Sequence, residues 1–168
     1  MKKPILLLFF LILILAVPAH AQTSYQAACE GSVILTVSYD EALFRLDKDS
    51  YLGTNRNGHW WLGTFYNGTY AVDLCADRYN GLSESSSLTD LAAYLCTLYS
   101  REGCTVLETS GGSLPFVILT MNGQNGQSYY AAALIRGYAV SFEAYCMLGG
   151  RDNSGLEILK TLLQGAGR

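Results

Sequence analysis

The chain has 168 residues, of which 50% are hydrophobic and 15% are charged, and its formal net charge is −3. An apolar content this high excludes an intrinsically disordered protein. The sequence contains no run of basic residues, so it offers no stripe of positive charge for phosphates and argues against nucleic acid as a partner.

The first 21 residues predict a cleaved secretory signal peptide. Lys2 and Lys3 precede the apolar run ILLLFFLILILAV, and Ala-His-Ala ends directly before Gln22. Small residues at positions −3 and −1, here the two alanines before Gln22, favour cleavage, and the apolar run is too short for a typical membrane anchor. An uncleaved N-terminal anchor is the alternative. We therefore expect a secreted, periplasmic or cell-envelope protein that has no membrane span after cleavage.

The rest of the chain predicts one domain. Residues 22–31 are small and polar and are expected to form a flexible leader, whereas residues 32–168 have the periodic apolar pattern of a folded domain. No repeat, linker or low-complexity tract divides this second segment. Its length is sufficient for a single hydrophobic core.

The first half of the domain predicts strands. VILTVSY, a short segment around Phe44 and Leu46, HWWLGTFY and TYAVDLCADRY alternate with turns. Five Asn-Gly pairs favour hairpin turns, because both positions of a type I′ turn need positive φ angles. They begin at Asn57, Asn67, Asn80, Asn122 and Asn125.

Two adjacent tryptophans lie between the first two of these turns. Pairing about the Asn67-Gly68 turn places Trp61 opposite Leu74 on the apolar face of the hairpin. Trp60 then lies on the other, mixed face together with Tyr66. This register predicts a core role for Trp61 and leaves Trp60 available for a ligand.

Two helices are predicted in the second half. Ser87 and Asp90 form a capping-box pattern ahead of LTDLAAYLCTLYSRE, and Gly103 ends that helix. TVLET, PFVILTM and SYYAAALIRGYAVSFEAY predict strands, the last being long enough to bend or to break near Gly137. Ser154 and Glu157 are expected to cap a closing helix, GLEILKTLLQ. The order of meander, helix, three strands and C-terminal helix predicts an α+β fold, a mainly antiparallel sheet with helices packed on it.

The order of these elements resembles the Mog1/PsbP-like fold family. The features that carry the resemblance are the opening VSYDEALFRLDKDSY, the helix SLTDLAAYLCTLYSREG, the three-strand return and the closing SGLEILKTLL. The resemblance implies an exported bacterial domain that acts as a binding or accessory module. It implies no catalytic centre and identifies no site residue.

Five cysteines follow the predicted signal peptide, at Cys29, Cys75, Cys96, Cys104 and Cys146. In an oxidising compartment disulfides are expected, and the odd number leaves at least one thiol. We favour the pair Cys96–Cys104, because a helix end and the start of the next strand bring them together. A zinc site is the alternative, but the sequence has no Cys-x-x-Cys pair and no histidines at the spacing that zinc ligands usually have.

Neither a catalytic centre nor a cofactor or metal site is predicted. His59 is the sole histidine after the signal peptide, and it lies beside a turn, where histidines are commonly solvated. Asp73 and Asp77 lie on one face of a predicted strand, but a hydrolytic pair needs two facing carboxyl groups, which the sequence does not show. A second acidic group lacks the spacing of a calcium loop; it comprises Asp40, Glu41, Asp47 and Asp49.

These observations favour a secreted, non-catalytic binding or accessory module. Its partner would be a protein, a glycan or a small apolar ligand, and the candidate ligand site consists of Trp60, Tyr51, Tyr66 and His59. The alternatives are a secreted hydrolase that uses scattered carboxylates and a secreted protein inhibitor. A cleft that joins two carboxyl groups with raised pKa values would favour the hydrolase.

Overall fold

The computed structural model describes residues 22–49, 58–111, 114–123, 126–150 and 153–167. The predicted signal peptide and Tyr51 lie outside the described residues. Within them the predicted α+β fold is confirmed, since strands dominate and two helices pack on a sheet. The elements are β1 (Gln22–Cys29), β2 (Ser32–Asp40), β3 (Arg45–Asp47), β4 (His59–Asn67), β5 (Tyr70–Asp77), α1 (Leu88–Leu98), a 3₁₀ helix (Ser100–Glu102), β6 (Thr105–Thr109), β7 (Val117–Gly123), β8 (Gly126–Ile135), β9 (Tyr138–Cys146), α2 (Ser154–Gln164) and β10 (Ala166–Gly167).

The main sheet has seven strands in the order β3-β4-β5-β9-β8-β7-β6, and every neighbouring pair is antiparallel. The long predicted strand breaks at the Arg136–Gly137 turn, where φ is +52° and +79°. This turn lets β8 and β9 form a hairpin, and β9 then pairs with β5. The meander and the three-strand return are therefore joined into one sheet.

The expectation of a flexible leader over residues 22–31 is wrong. Residues Gln22–Cys29 form β1, which pairs antiparallel with β2 through a turn at Glu30 and Gly31. Together with β10 they make a second, three-stranded sheet. The segment is polar in composition, but its alternate residues turn inward, and Ala27 and Cys29 are buried.

One hydrophobic core lies between the small sheet and one face of the main sheet, which we call the core face. Phe65 of β4 and Phe142 of β9 are fully buried there. Leu35 of β2 and Leu159 of α2 belong to the same cluster. The small sheet and α2 therefore cover this face of the main sheet.

Helix α1 packs on part of the opposite face. Its capping box is confirmed, since the Asp90 amide donates to Ser87 Oγ over 3.1 Å and the Ser87 amide donates to Asp90 Oδ2 over 2.8 Å. Leu91 and Leu95 are fully buried against a cluster that includes Val117 and other residues of β7 and β8. The part of this face made by β4, β5 and β9 forms the floor of an open cavity, and we call it the open face.

The predicted cap of the closing helix is wrong. The N-cap residue of α2 is Asn153, and Ser154 is already the first helical residue. Asn153 makes no side-chain capping bond, because its Oδ1 accepts a hydrogen bond from the Tyr129 hydroxyl over 2.8 Å. A tertiary contact has thus replaced the local one.

All five cysteines are described, and each is a free thiol. The Sγ atoms of Cys96 and Cys104 lie 3.1 Å apart, longer than the roughly 2.05 Å of a disulfide bond. Cys75 and Cys146 point to opposite faces of neighbouring strands, since the register pairs Cys75 with Ser141. Cys96 and Cys104 therefore lie close together, as predicted, whereas a disulfide bond between them stays a prediction.

We expect Cys96 and Cys104 to form a disulfide when the protein is exported or oxidised in vitro. Closing a loop of this length stabilises a fold by about 2–3 kcal/mol through the entropy of the unfolded chain. Peptide mass mapping without reduction should find this link and leave Cys29, Cys75 and Cys146 as thiols. Reduction, or the variant Cys96→Ser, should then lower the free energy of unfolding by the same amount. Two free thiols at these positions after oxidation would contradict the prediction.

Candidate functional site

The open face carries a cavity that combines many polar and aromatic groups. The cavity has a volume of about 400 Å³ and lies over β4, β5 and β9. Its walls include five aromatic side chains and three carboxyl groups. The aromatic residues are Trp61, Tyr66, Tyr99, Tyr130 and Tyr145, and the acidic ones are Asp73, Asp77 and Glu143.

The strand register explains why these residues share a face. Thr64, Asp73, Glu143 and Tyr130 are successive partners across β4, β5, β9 and β8, so they form one row across the sheet. Neighbouring rows repeat every second residue along each strand. Cys75 and Asp77 of β5 and Ser141 and Tyr145 of β9 therefore point into the same cavity.

The predicted roles of the two tryptophans are reversed. The turn is centred on Gly68 and Thr69, with Asn67 opposite Tyr70. The register shifts between Trp61 and Gly63, so Leu62 is an extra residue, a β-bulge. A bulge moves the following side chains to the other face of the sheet.

The bulge decides which tryptophan meets the cavity. Leu62 is 7% exposed and joins the buried core, and Trp60 packs on the same side. The Trp60 ring lies edge-on to Tyr138, with the ring centroids 5.5 Å apart. Trp61 instead lines the cavity, where its Nε1 donates to Thr64 Oγ1 over 3.2 Å.

The structure brings two of the four predicted ligand residues into the cavity. His59 and Tyr66 line it, Trp60 lies on the opposite face, and Tyr51 is outside the described residues. Trp61 and the whole contribution of β9 were not predicted. One signal was available in the sequence, because Ser141, Glu143 and Tyr145 alternate with apolar residues along β9.

Asp73 and Glu143 form a carboxyl pair at the centre of the open face. They are direct partners in the β5–β9 register, and the ion pairs among the described residues involve neither of them. Asp73 accepts hydrogen bonds from the Thr64 hydroxyl and, over 3.2 Å, from the Tyr145 hydroxyl. Burial raises the pKa of the Glu143 carboxyl, a hydrogen bond from Ser128 partly offsets this, and the negative charge of Asp73 raises the pKa further. The two carboxyl groups therefore differ in their environments.

His59 and Asp77 form a second polar pair at the edge of the cavity. His59 Nδ1 lies 2.6 Å from Asp77 Oδ1, and Asp77 is only 8% exposed. Cys75 is one row away, but burial and then the charges of Asp73, Asp77 and Glu143 raise the pKa of its thiol. A thiol in this setting stays protonated, which excludes the activated thiolate of a Cys-His nucleophile.

Tyr99 and Tyr130 line the cavity on the side of α1, and Tyr79 bonds to both of them. Tyr79, Tyr99 and Tyr130 are joined by hydrogen bonds, and the Tyr99 and Tyr130 ring centroids lie 5.7 Å apart. Burial raises the pKa of all three hydroxyl groups, so they stay neutral at physiological pH. They form a rigid wall that links the helix to the sheet.

A second cavity adjoins the first at the end of the sheet. It has a volume of about 620 Å³ and shares Glu143 and Tyr145 with the open face. Arg101, Asn122 and Gln127 also line it. The Gln127 side chain points to the core face, where its Nε2 donates to Thr120 Oγ1 over 2.9 Å. We call the two adjoining cavities the trough.

The described residues contain no group of three or more potential ligands arranged to hold a metal ion. Among the same residues, no helix combines the length and apolar character that crossing a membrane requires. The chain matches no protein-family model and no curated protein sequence. The trough must therefore be interpreted from its own chemistry.

We expect the variant Glu143→Gln to stabilise the protein by up to about 1 kcal/mol at pH 7, because it removes one of two like charges directly opposite each other on neighbouring strands. The folded state raises the Glu143 pKa. The contribution of this residue to stability is therefore greatest below its unfolded pKa and is lost as the pH rises through its folded pKa. The gain from glutamine should accordingly shrink towards pH 4.

Urea unfolding at pH 7 and pH 4 measures this gain directly. Glu84→Gln is the matched control, because Glu84 is exposed in the loop before α1, and it should change stability at neither pH. A loss of stability at pH 7 in Glu143→Gln would show instead that favourable contacts hold the carboxylate.

Proposed function

We propose that the chain is an exported binding module whose trough holds a glycan chain. The observation that carries the proposal is the combination of aromatic rings and carboxyl groups on the open face of the sheet. Because the interior described above is filled by side chains, we place the ligand in the trough and not in an internal site for a small apolar molecule. Both core clusters are filled by side chains such as Phe65 and Leu95.

Sugar rings match this combination of groups. A pyranose offers an apolar C–H face, which packs on an aromatic ring, and a rim of hydroxyl groups, which need hydrogen-bond partners. Trp61 and Tyr145 supply ring surface on either side of the carboxyl pair. The carboxylate oxygens of Asp73 can accept hydrogen bonds from hydroxyl groups.

The arrangement of the cavities favours an extended ligand. Two cavities of about 400 and 620 Å³ adjoin and share Glu143 and Tyr145, and each of them lies within the usual range for a ligand pocket, about 300–1,000 Å³. Both are open to solvent along the sheet, so a chain can lie across them without threading. The predicted export and the resemblance to Mog1/PsbP-like modules agree with a glycan of the cell envelope as the ligand.

The experiment that tests the proposal is a binding assay on the mature chain. Insoluble peptidoglycan, chitin and cellulose are incubated with the protein and sedimented, and soluble oligosaccharides from any polymer that retains it are titrated against tryptophan fluorescence. We expect at least one polymer to retain the protein. Release by its own oligosaccharides, and weaker retention of Tyr145→Ala, would place the binding in the trough. Retention by none of the polymers, or retention unchanged in Tyr145→Ala, would contradict the proposal.

A further inference from the structure

We propose that Tyr25 of β1 is a positioning residue for the trough, because its hydroxyl holds the bulge that turns Trp61 towards the ligand. Tyr25 itself lies outside both cavities of the trough. The expected effect on ligand affinity rests on the proposed function, whereas the expected effect on the direction of Trp61 does not. The inference gives the small sheet a role in binding on the opposite face of the main sheet.

The bulge selects one of two registers of β4 against β5. On the side of the hairpin turn the register is regular, and it shifts by one residue at the bulge. If the first register continued, Trp61 would lie opposite Ala76, which belongs to the core cluster. Trp60 would lie opposite Asp77, which lines the cavity. The bulge therefore determines which of the two tryptophans faces the trough.

The bulge places two consecutive residues, Leu62 and Gly63, on the core face. Both are buried, and Leu62 belongs to the core cluster. A Cβ atom at Gly63 would lie 3.1 Å from Leu46 Cδ1 and 3.2 Å from the Asp47 carbonyl oxygen. It would also lie 3.8 Å from the Tyr25 ring. The missing side chain at Gly63 thus makes room for the extra residue and brings Tyr25 close to it.

Tyr25 contacts the bulge from the small sheet. Its hydroxyl donates to the Leu62 carbonyl oxygen over 2.5 Å, and its ring packs edge-on to Phe65, with the centroids 6.2 Å apart. Burial, and then the charge of Asp49, raise the pKa of the Tyr25 hydroxyl, so it stays protonated at physiological pH. A bulge locally disrupts the hydrogen bonds between strands, so a donor to one of its carbonyl groups stabilises the bulged register.

A second contact holds the bulge from the open face. Trp61 Nε1 donates to Thr64 Oγ1 over 3.2 Å, and the Thr64 hydroxyl in turn donates to Asp73. The bond between Trp61 and Thr64 spans the two residues that face the core. Removing it changes residues that line the trough, whereas removing the bond from Tyr25 changes none of them. Tyr25 is therefore the partner to test.

The first measurement is the affinity for soluble oligosaccharides of a polymer that retains the protein. We expect Tyr25→Phe to lower this affinity about two- to tenfold in calorimetric titration, the range of one net hydrogen bond. The ring and its packing on Phe65 are kept. Tyr39→Phe is the matched control, because Tyr39 packs edge-on to the same ring from β2, with the centroids 5.2 Å apart. It should leave the affinity unchanged.

The second measurement reads the direction of each tryptophan without a ligand, because the chain contains only two. Trp60→Phe leaves Trp61 as the fluorophore, and Trp61→Phe leaves Trp60. Adding Tyr25→Phe should shift part of the molecules to the unbulged register. The emission of Trp61 should then move to shorter wavelengths and that of Trp60 to longer ones. Unchanged emission in both chains, or a shift of both to longer wavelengths through general loosening, would contradict the inference.

Deletion of Leu62 supplies a rescue. Without the extra residue, regular alternation from Gly63 keeps Trp61 opposite Cys75 on the open face. The deletion leaves Tyr25 no bulge to hold, so Tyr25→Phe should not change the affinity of the deletion chain. An equal loss of affinity with and without Leu62 would show that Tyr25 acts by another route. Circular dichroism and urea unfolding check that each variant folds.

Failure of this inference and failure of the proposed function give different results. If no polymer retains the protein, the proposed function fails, and the emission of the two single-tryptophan chains still shows whether Tyr25 holds the bulge. If a polymer is bound and Tyr25→Phe binds its oligosaccharides as tightly as the wild type, the binding module stands and the positioning role of Tyr25 is overturned.

Discussion

Replacing Trp61 with alanine is expected to weaken glycan binding at least tenfold, whereas replacing Trp60 should leave binding almost unchanged. Trp61 lines the trough, and a loss of about 1.4 kcal/mol or more is usual when a central aromatic contact is truncated. Its neighbour in the chain lies on the other face of the sheet, because Leu62 is the extra residue of a bulge. The two variants therefore form a matched pair.

For stability the order of the two variants should be reversed, with the larger loss in Trp60→Ala. Trp60 packs on the core, edge-on to Tyr138 and 6.0 Å from the Arg78 guanidinium. Its loss should cost about 2 kcal/mol, while Trp61→Ala should cost less than 1 kcal/mol. Fluorescence or calorimetric titration and urea unfolding measure the two quantities. Equal losses of binding in both variants would contradict the faces that the bulge assigns.

Phe65→Ala is expected to destabilise the protein by about 3–5 kcal/mol, a large part of the stability of a domain this size. Phe65 is fully buried between the two sheets. Its ring meets those of Tyr25, Tyr39 and Phe44 edge-on, with centroids 6.2, 5.2 and 6.5 Å away. The alanine variant leaves a cavity at the point where β1, β2 and the main sheet meet.

Urea unfolding tests this expectation, because the urea concentration at the midpoint should fall while the m value stays constant. Leu148→Ala is the control, because Leu148 is 81% exposed, and it should change stability by less than about 0.5 kcal/mol. A loss below 1 kcal/mol for Phe65→Ala would show that β1 and β2 do not pack on the main sheet as described.

Much of the fold could be predicted because its signals act over a few residues. The two Asn-Gly turns that bracket HWWLGTFY predict β4, and the Ser87–Asp90 box predicts the start of α1. The predicted break near Gly137 also coincides with a turn. In each case the backbone conformation follows from the side chains of neighbouring residues.

The errors arise where a tertiary contact competes with a local signal. The polar segment 22–31 becomes β1, because β2 offers it an edge and the core accepts Ala27 and Cys29. Asn153 gives its side chain to Tyr129 and leaves the helix cap unmade. Gly63 follows the bulged Leu62, and a glycine inside a strand often marks a bulge, but it does not say which side chains change face. The bulge reverses the two tryptophans.

The sequence by itself determined the α+β class, the order of most elements and the polar alternation along β5. It did not determine the candidate site, since Asp73 and Glu143 are far apart in the chain and face each other only through the pairing of β5 with β9. That pairing depends on long-range burial of both strands, as does the choice of the face that α1 leaves open. Local patterns specify which residues alternate, but only the packed sheet decides which of them meet.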